Sequence, residues 1–178
     1  MKTTLFYGFV MALAGSLLTY ILFFLGYHDS VEKFTTAQTI ASVVGLLIWI
    51  TCLLLGIRAR RDEVPAHEAF GYGRALGAGT LIALWGSLFG SISHAIYMMF
   101  VNPDFREVVV QSEIAKMEAK GVPAAQIEQA EGMVRMMTGP VVQSIFALIF
   151  GFILCFMVAL IVAAFVRRPA TGTPPPLA

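Results

Sequence analysis

From Gly71 to Pro103 the chain reads GYGRALGAGTLIALWGSLFGSISHAIYMMFVNP, and about 27 of these residues form an apolar run long enough to cross a bilayer with some tilt. At about 100° per residue the run has two unlike faces. Gly79, Ala83, Gly86, Ser87, Gly90 and Ser91 share one arc, while Leu81, Leu84, Trp85, Leu88, Phe89, Ile92 and Ile96 fill the other. Lipid tails are as apolar as leucine, so a helix in a bilayer gains nothing by hiding its leucines. A face of small residues marks where a neighbouring helix comes close. Gly90 is expected at such a close crossing, and His94 falls near the middle of the small face.

Three more runs have the same character, placing spans at 5–27, 36–57, 73–101 and 140–166. Each has a small arc: Gly8, Ala12, Gly15, Ser16 and Thr19 in the first; Ala37, Ala41, Gly45, Cys52 and Gly56 in the second; Ser144, Ala147, Gly151, Cys155 and Ala159 in the fourth. Ala12-Leu13-Ala14 imitates a signal-peptidase site, but the apolar run continues past it, which favours a retained helix. With 58% hydrophobic and 13% charged residues the chain is too apolar for a soluble domain of its length. A net charge of +1, without a basic stripe interleaved with aromatics, excludes a nucleic-acid binder. The expected fold is all-α: a polytopic membrane protein with four transmembrane helices in one bundle, a single domain over 1–168.

Between the third and fourth spans lies an insert over 102–139, read as a broken pair of helices. Asn102 suits a helix cap with Pro103 at the first helical position, and Gly121-Val122-Pro123 breaks the helix that follows. A second helix over 124–137 lines up Ile127, Ala130, Met133, Val134 and Met137, a flexible apolar stripe expected to pack on its own hairpin or on the rim of the bundle. Residues 104–138 are the candidate surface for a protein partner. The tail 169–178, with Pro174-Pro175-Pro176, is expected to be extended and disordered. Lys2, Arg58, Arg60, Arg61, Arg74, Arg167 and Arg168 gather at one end of the bundle, so both termini are expected in the cytoplasm and the insert outside a bacterial inner membrane.

His94 is the sharpest candidate for a site, because ionisable groups at membrane depth are uncommon and often functional. Matching its depth on the other spans gives Thr19 and Tyr20, Gln38 and Ser42, and Gln143 and Ser144. Together these residues would make a polar pocket open toward the outer face. Arg58, Arg60, Arg61 and Arg74 are candidate contacts for lipid headgroups. Cys52 and Cys155 sit inside apolar runs and read as small packing residues, not as a disulfide or metal pair. His67-Glu68 lacks the second histidine of a metalloprotease, and the glycines from Gly71 to Gly79 follow no strand. No cofactor, metal or catalytic set is expected.

The Phe70-Gly71-Tyr72-Gly73-Arg74-Ala75 start of the third span, the Asn102-Pro103-Asp104-Phe105 step, the insert with Ala125-Gln126-Ile127-Glu128 and the final span closed by Arg167-Arg168 resemble a set of bacterial membrane proteins, domain of unknown function 4199. That resemblance implies the same architecture and no reaction. The sequence thus points to a non-enzymatic accessory or scaffold subunit whose partners are the lipid bilayer and a protein met by the external insert. The alternative is a small transport protein, or transporter subunit, with His94 in a polar pathway.

Overall fold

The computed structural model describes residues 1–171; the proline-rich stretch 172–178 lies outside the described residues. These residues fold into six α-helices: α1 (Lys2–Phe24), α2 (Val31–Asp62), α3 (Tyr72–Ile96), α4 (Phe105–Ala119), α5 (Ala124–Met137) and α6 (Pro140–Val166). A π-helical turn, Tyr97–Val101, extends α3. Four helices are long and apolar enough to cross a membrane: α1, α2, α6, and α3 with its π turn. They form the bundle, in the order α1, α2, α6, α3 around its axis. Large side chains such as Phe6, Phe9 and Leu17 on α1, or Ile149, Phe150 and Leu154 on α6, stay exposed and form the belt that lipid covers.

Small residues set how close the helices come. A Cβ on Gly8 would stand 2.6 Å from Trp85 Cβ and 3.0 Å from Ile82 O, so α1 and α3 touch there backbone to backbone. At Gly79 it would stand 2.9 Å from Ala159 Cβ, where α3 meets α6. Gly90 behaves otherwise. Nothing lies within 4 Å of a Cβ built there, which corrects the expectation of a close crossing at that point. The helices are tight in the half that carries the chain termini and separate toward the hairpin end. The tight half holds the main core, with Leu53, Ile57, Ile82, Ala83, Ala159 and Ala163. Cys52 and Cys155 belong to this same cluster as free thiols.

Two turns depend on glycine. Gly26 (φ +75°) closes α1 and Gly121 (φ +73°) closes α4. In both, the following N–H reaches the carbonyl five residues back, Tyr27 to Leu22 and Val122 to Met117, satisfying carbonyls the helix leaves free. The hairpin after α3 differs from its expected form. Asn102 does not cap α4, which starts at Phe105 with Asp104 at the cap position. The Asn102 side chain turns back to Tyr97 instead, its amide donating to the Tyr97 hydroxyl at 2.9 Å. Along α5, Ile127, Ala130 and Val134 of the apolar stripe are half-buried, while its Met133 and Met137 stay exposed, as does Met136 beside them, so the stripe packs only in part. Arg135 ties α5 to α4 by donating to both carboxylate oxygens of Glu107, at 2.7 and 3.1 Å, and also pairs with Glu131. That guanidinium, with help from Gln111, holds the Glu107 carboxyl down to about 2.

Candidate functional site

In the half where the helices separate, a half-open cavity of about 210 Å³ lies among α1, α3 and α6, with Trp49 as the contribution of α2. Its floor is Met11 and Cys155, whose sulfurs are 3.9 Å apart. Gly15, Gly90 and Gly151 leave its walls low, and Ser16, Thr19, Tyr20, Ser91, Ser93 and His94 supply its polar groups. Below the floor the bundle core closes it, so the space is one-sided. It is roomy and polar enough to hold several waters, and among the described residues no carboxylate, lysine or arginine lines it.

The expected polar residues divide by their direction around each helix. His94 Nε2 and Gln143 Oε1 are 3.2 Å apart, so Gln143 accepts and leaves Nδ1 of the neutral ring as an acceptor. Ser144 is buried, but its hydroxyl donates to Pro140 O on its own helix while its carbonyl accepts from Ser91 at 2.9 Å. Thr19 bonds back to Gly15 O and still lines the cavity, as does Tyr20. Gln38 and Ser42 do not join. Both are exposed, and Ser42 donates to Gln38 O along the outer face of α2. They have the right depth and the wrong azimuth: the α2 residue that turns inward at this level is Ala37.

The bundle carries a second constellation at its hairpin end, absent from the sequence reading. His28, read as part of a polar connector, is buried. Its Nδ1 pairs with the Tyr97 hydroxyl, which also accepts from Asn102. Phe105, the first residue of α4, is wedged beside them. Its ring centroid lies 5.0 Å from that of His28, 5.2 Å from Tyr97, 5.4 Å from Phe34 and 6.4 Å from His94. Burial among these rings pushes the His28 pKa below its ordinary value, against the pull of neighbouring Asp29. Tyr97 joins the two sites, since it also lines the cavity. The sequence signal was thin: the first of three histidines, next to an aspartate, with its aromatic partners Phe34, Tyr97 and Phe105 in three different segments.

At the opposite end the four candidate lipid-contact arginines are all on the surface. Arg60 pairs with Glu63, Arg61 with Asp62 at 3.1 Å and Arg74 with Glu68 at 2.9 Å, while Arg58 is exposed. Among the described residues no three His, Cys, Asp or Glu side chains converge as a metal site.

Residues 6–168 match the family described as protein of unknown function (DUF4199), and the chain belongs to that family. No curated protein and no solved structure matches it.

Proposed function

We propose that this chain is an accessory or scaffold subunit of the bacterial inner membrane, without chemistry of its own, with both termini cytoplasmic and the α4–α5 hairpin as the surface a partner protein reads. One observation carries the reading. Helix α5 buries none of its residues, yet it is held in place through Arg135 and presents Met133, Met136 and Met137 outward. An ordered helix that the core does not use is suited to contact something else, and thioether side chains adapt to varied surfaces. The orientation rests on the basic residues gathered at the end of the bundle away from the hairpin.

Cysteines placed at Met136 and at Ser30, both exposed, test this, because the native thiols are buried. With an impermeant maleimide applied to cells with a permeabilised outer membrane, Ser30→Cys should label readily. Met136→Cys should label at least several-fold more slowly in native membranes than in liposomes of the purified protein. No label at Ser30 reverses the orientation. Equal rates at Met136 in membranes and liposomes remove the partner.

The cavity favours a second reading, a small transport protein using His94. In liposomes holding a trapped pH dye, the wild type should then dissipate a proton gradient faster than lipid alone, and His94→Gln should abolish this while leaving the fold intact. Dissipation no faster than in protein-free liposomes rejects it.

A further inference from the structure

The Tyr97 hydroxyl can satisfy itself in one way. It accepts from the Asn102 amide, so its own proton needs an acceptor, and the buried atom in reach is His28 Nδ1. The bonds then run head to tail, Asn102 to Tyr97 to His28, and require the neutral imidazole with its proton on Nε2. Adding a proton at Nδ1 reverses one link. Two donors would face one phenolic oxygen, and the Tyr97 proton would have no acceptor. A buried hydroxyl so stranded costs about 1–3 kcal/mol.

The surroundings offer the new charge little relief. From its own loop His28 faces Asp29, which stands against Gly26 beside the ammonium of Lys33. From the π turn it faces Tyr97, and on α3 His94 lies beyond Phe105. From α1 the neighbouring groups are Tyr20 and Phe23, packed on Tyr97. From α2 it meets Phe34 and from α4 Phe105, neither of which can accept a hydrogen bond. The same groups moor the hairpin. Asn102, which closes the π turn, is held by Tyr97, and Phe105, the first residue of α4, packs on both His28 and Tyr97.

We propose that His28 is a proton-binding site whose occupancy loosens the mooring of the α4–α5 hairpin, so that acidity outside the membrane controls how the hairpin is held. Phe105 stands near both histidines, its ring centroid 5.0 Å from that of His28 and 6.4 Å from that of His94. The depressed pKa of His28 agrees with a neutral resting state. The regulatory consequence rests on the hairpin being the partner surface, but the mooring itself does not, and it is measured without a partner.

Spin labels on cysteines at Ala119, near the hairpin tip, and Ser42, on α2, report the distance between hairpin and bundle by pulsed electron resonance; both positions are exposed. In nanodiscs at pH 7.5 the wild type should give one narrow distance distribution. As the pH falls below the ordinary histidine value, a broad second population should grow, its ratio to the first rising up to about tenfold per pH unit, as one proton requires. His28→Gln offers a neutral acceptor that does not titrate, and should keep the narrow distribution down to pH 5. Tyr97→Phe removes the link and should be broad at both pH values. A wild-type distribution unchanged to pH 5, or the same broadening in His28→Gln, overturns the proposal. The wild-type titration alone decides if a variant fails to fold.

Discussion

Gly8→Leu should prevent the purified protein from holding a monodisperse bundle in mild detergent, whereas Gly90→Leu should elute and melt close to wild type. A Cβ at Gly8 would lie 2.6 Å from Trp85 Cβ and 3.0 Å from both Gly86 N and Ile82 O. Overpacking a site ringed by movable side chains costs about 1–3 kcal/mol. Two of these three atoms are helix backbone, which cannot turn aside, so α1 would have to leave α3. A lipid-facing helix has no hydrophobic drive to return, because association in a bilayer depends on close packing and interhelical hydrogen bonds. Gly90 looks into the cavity, and a leucine there fills space instead of displacing a helix. Equal damage from both changes would mean that the cavity is closed in solution.

Gly86 and Gly90 show how far the sequence could go. Both lie on the small arc of α3, and the period of the helix says no more than that. Whether a small residue sits at a tight crossing or beside a gap depends on how the axes diverge, and divergence leaves no periodic mark. Hence the four spans, their small faces and the broken insert were legible and a polar pocket at the depth of His94 was expected, whereas the level at which α1, α3 and α6 part to leave a cavity was not. The partner of His94 has a similar history. Gln143 and Ser144 are equally deep, about 100° apart on α6, and the rotation of that helix brings Gln143 to the imidazole. On α2 the same uncertainty falls the other way and leaves Gln38 and Ser42 outside. His28 lay deeper still. Its burial depends on Phe34, Tyr97 and Phe105, contributed by α2, the π turn and α4, and only the folded chain makes them neighbours. The π turn itself, closed by the bond from Asn102 N–H to Tyr97 O at 2.8 Å, swings Asn102 away from the helix cap it was expected to make.

Phe70→Ala should destabilise the protein by about 3 kcal/mol or more, the range for deleting a buried aromatic ring, and should do so from a residue outside every span. Phe70 is 1% exposed and belongs to the core cluster, although it sits in the connector before α3. Its backbone pairs with Arg168 just past the end of α6, with N–H to O distances of 2.9 Å in both directions. The Arg168 guanidinium reaches across the same connector and donates to Val64 O at 2.8 Å and Pro65 O at 3.2 Å. Two backbone bonds, two side-chain bonds and one buried ring therefore fasten the start of α3 to the end of α6, the helix pair that frames the cavity. The chain continues beyond this clasp, where Thr171 N–H donates to Ala66 O at 2.7 Å, so residues 169–171 are tied back and not free as the tail was expected to be. By charge alone Arg167 and Arg168 are equivalent markers of a membrane edge. By geometry they are not: Arg167 is exposed, while Arg168 has its Nε buried in the clasp. Arg168→Gln should accordingly lower the thermal midpoint by several degrees in detergent, and Arg167→Gln should leave it within error. Matching midpoints for the two would reduce the clasp to surface charge. The Phe70 result, read in the same melts, would then show whether the ring holds α3 and α6 together unaided.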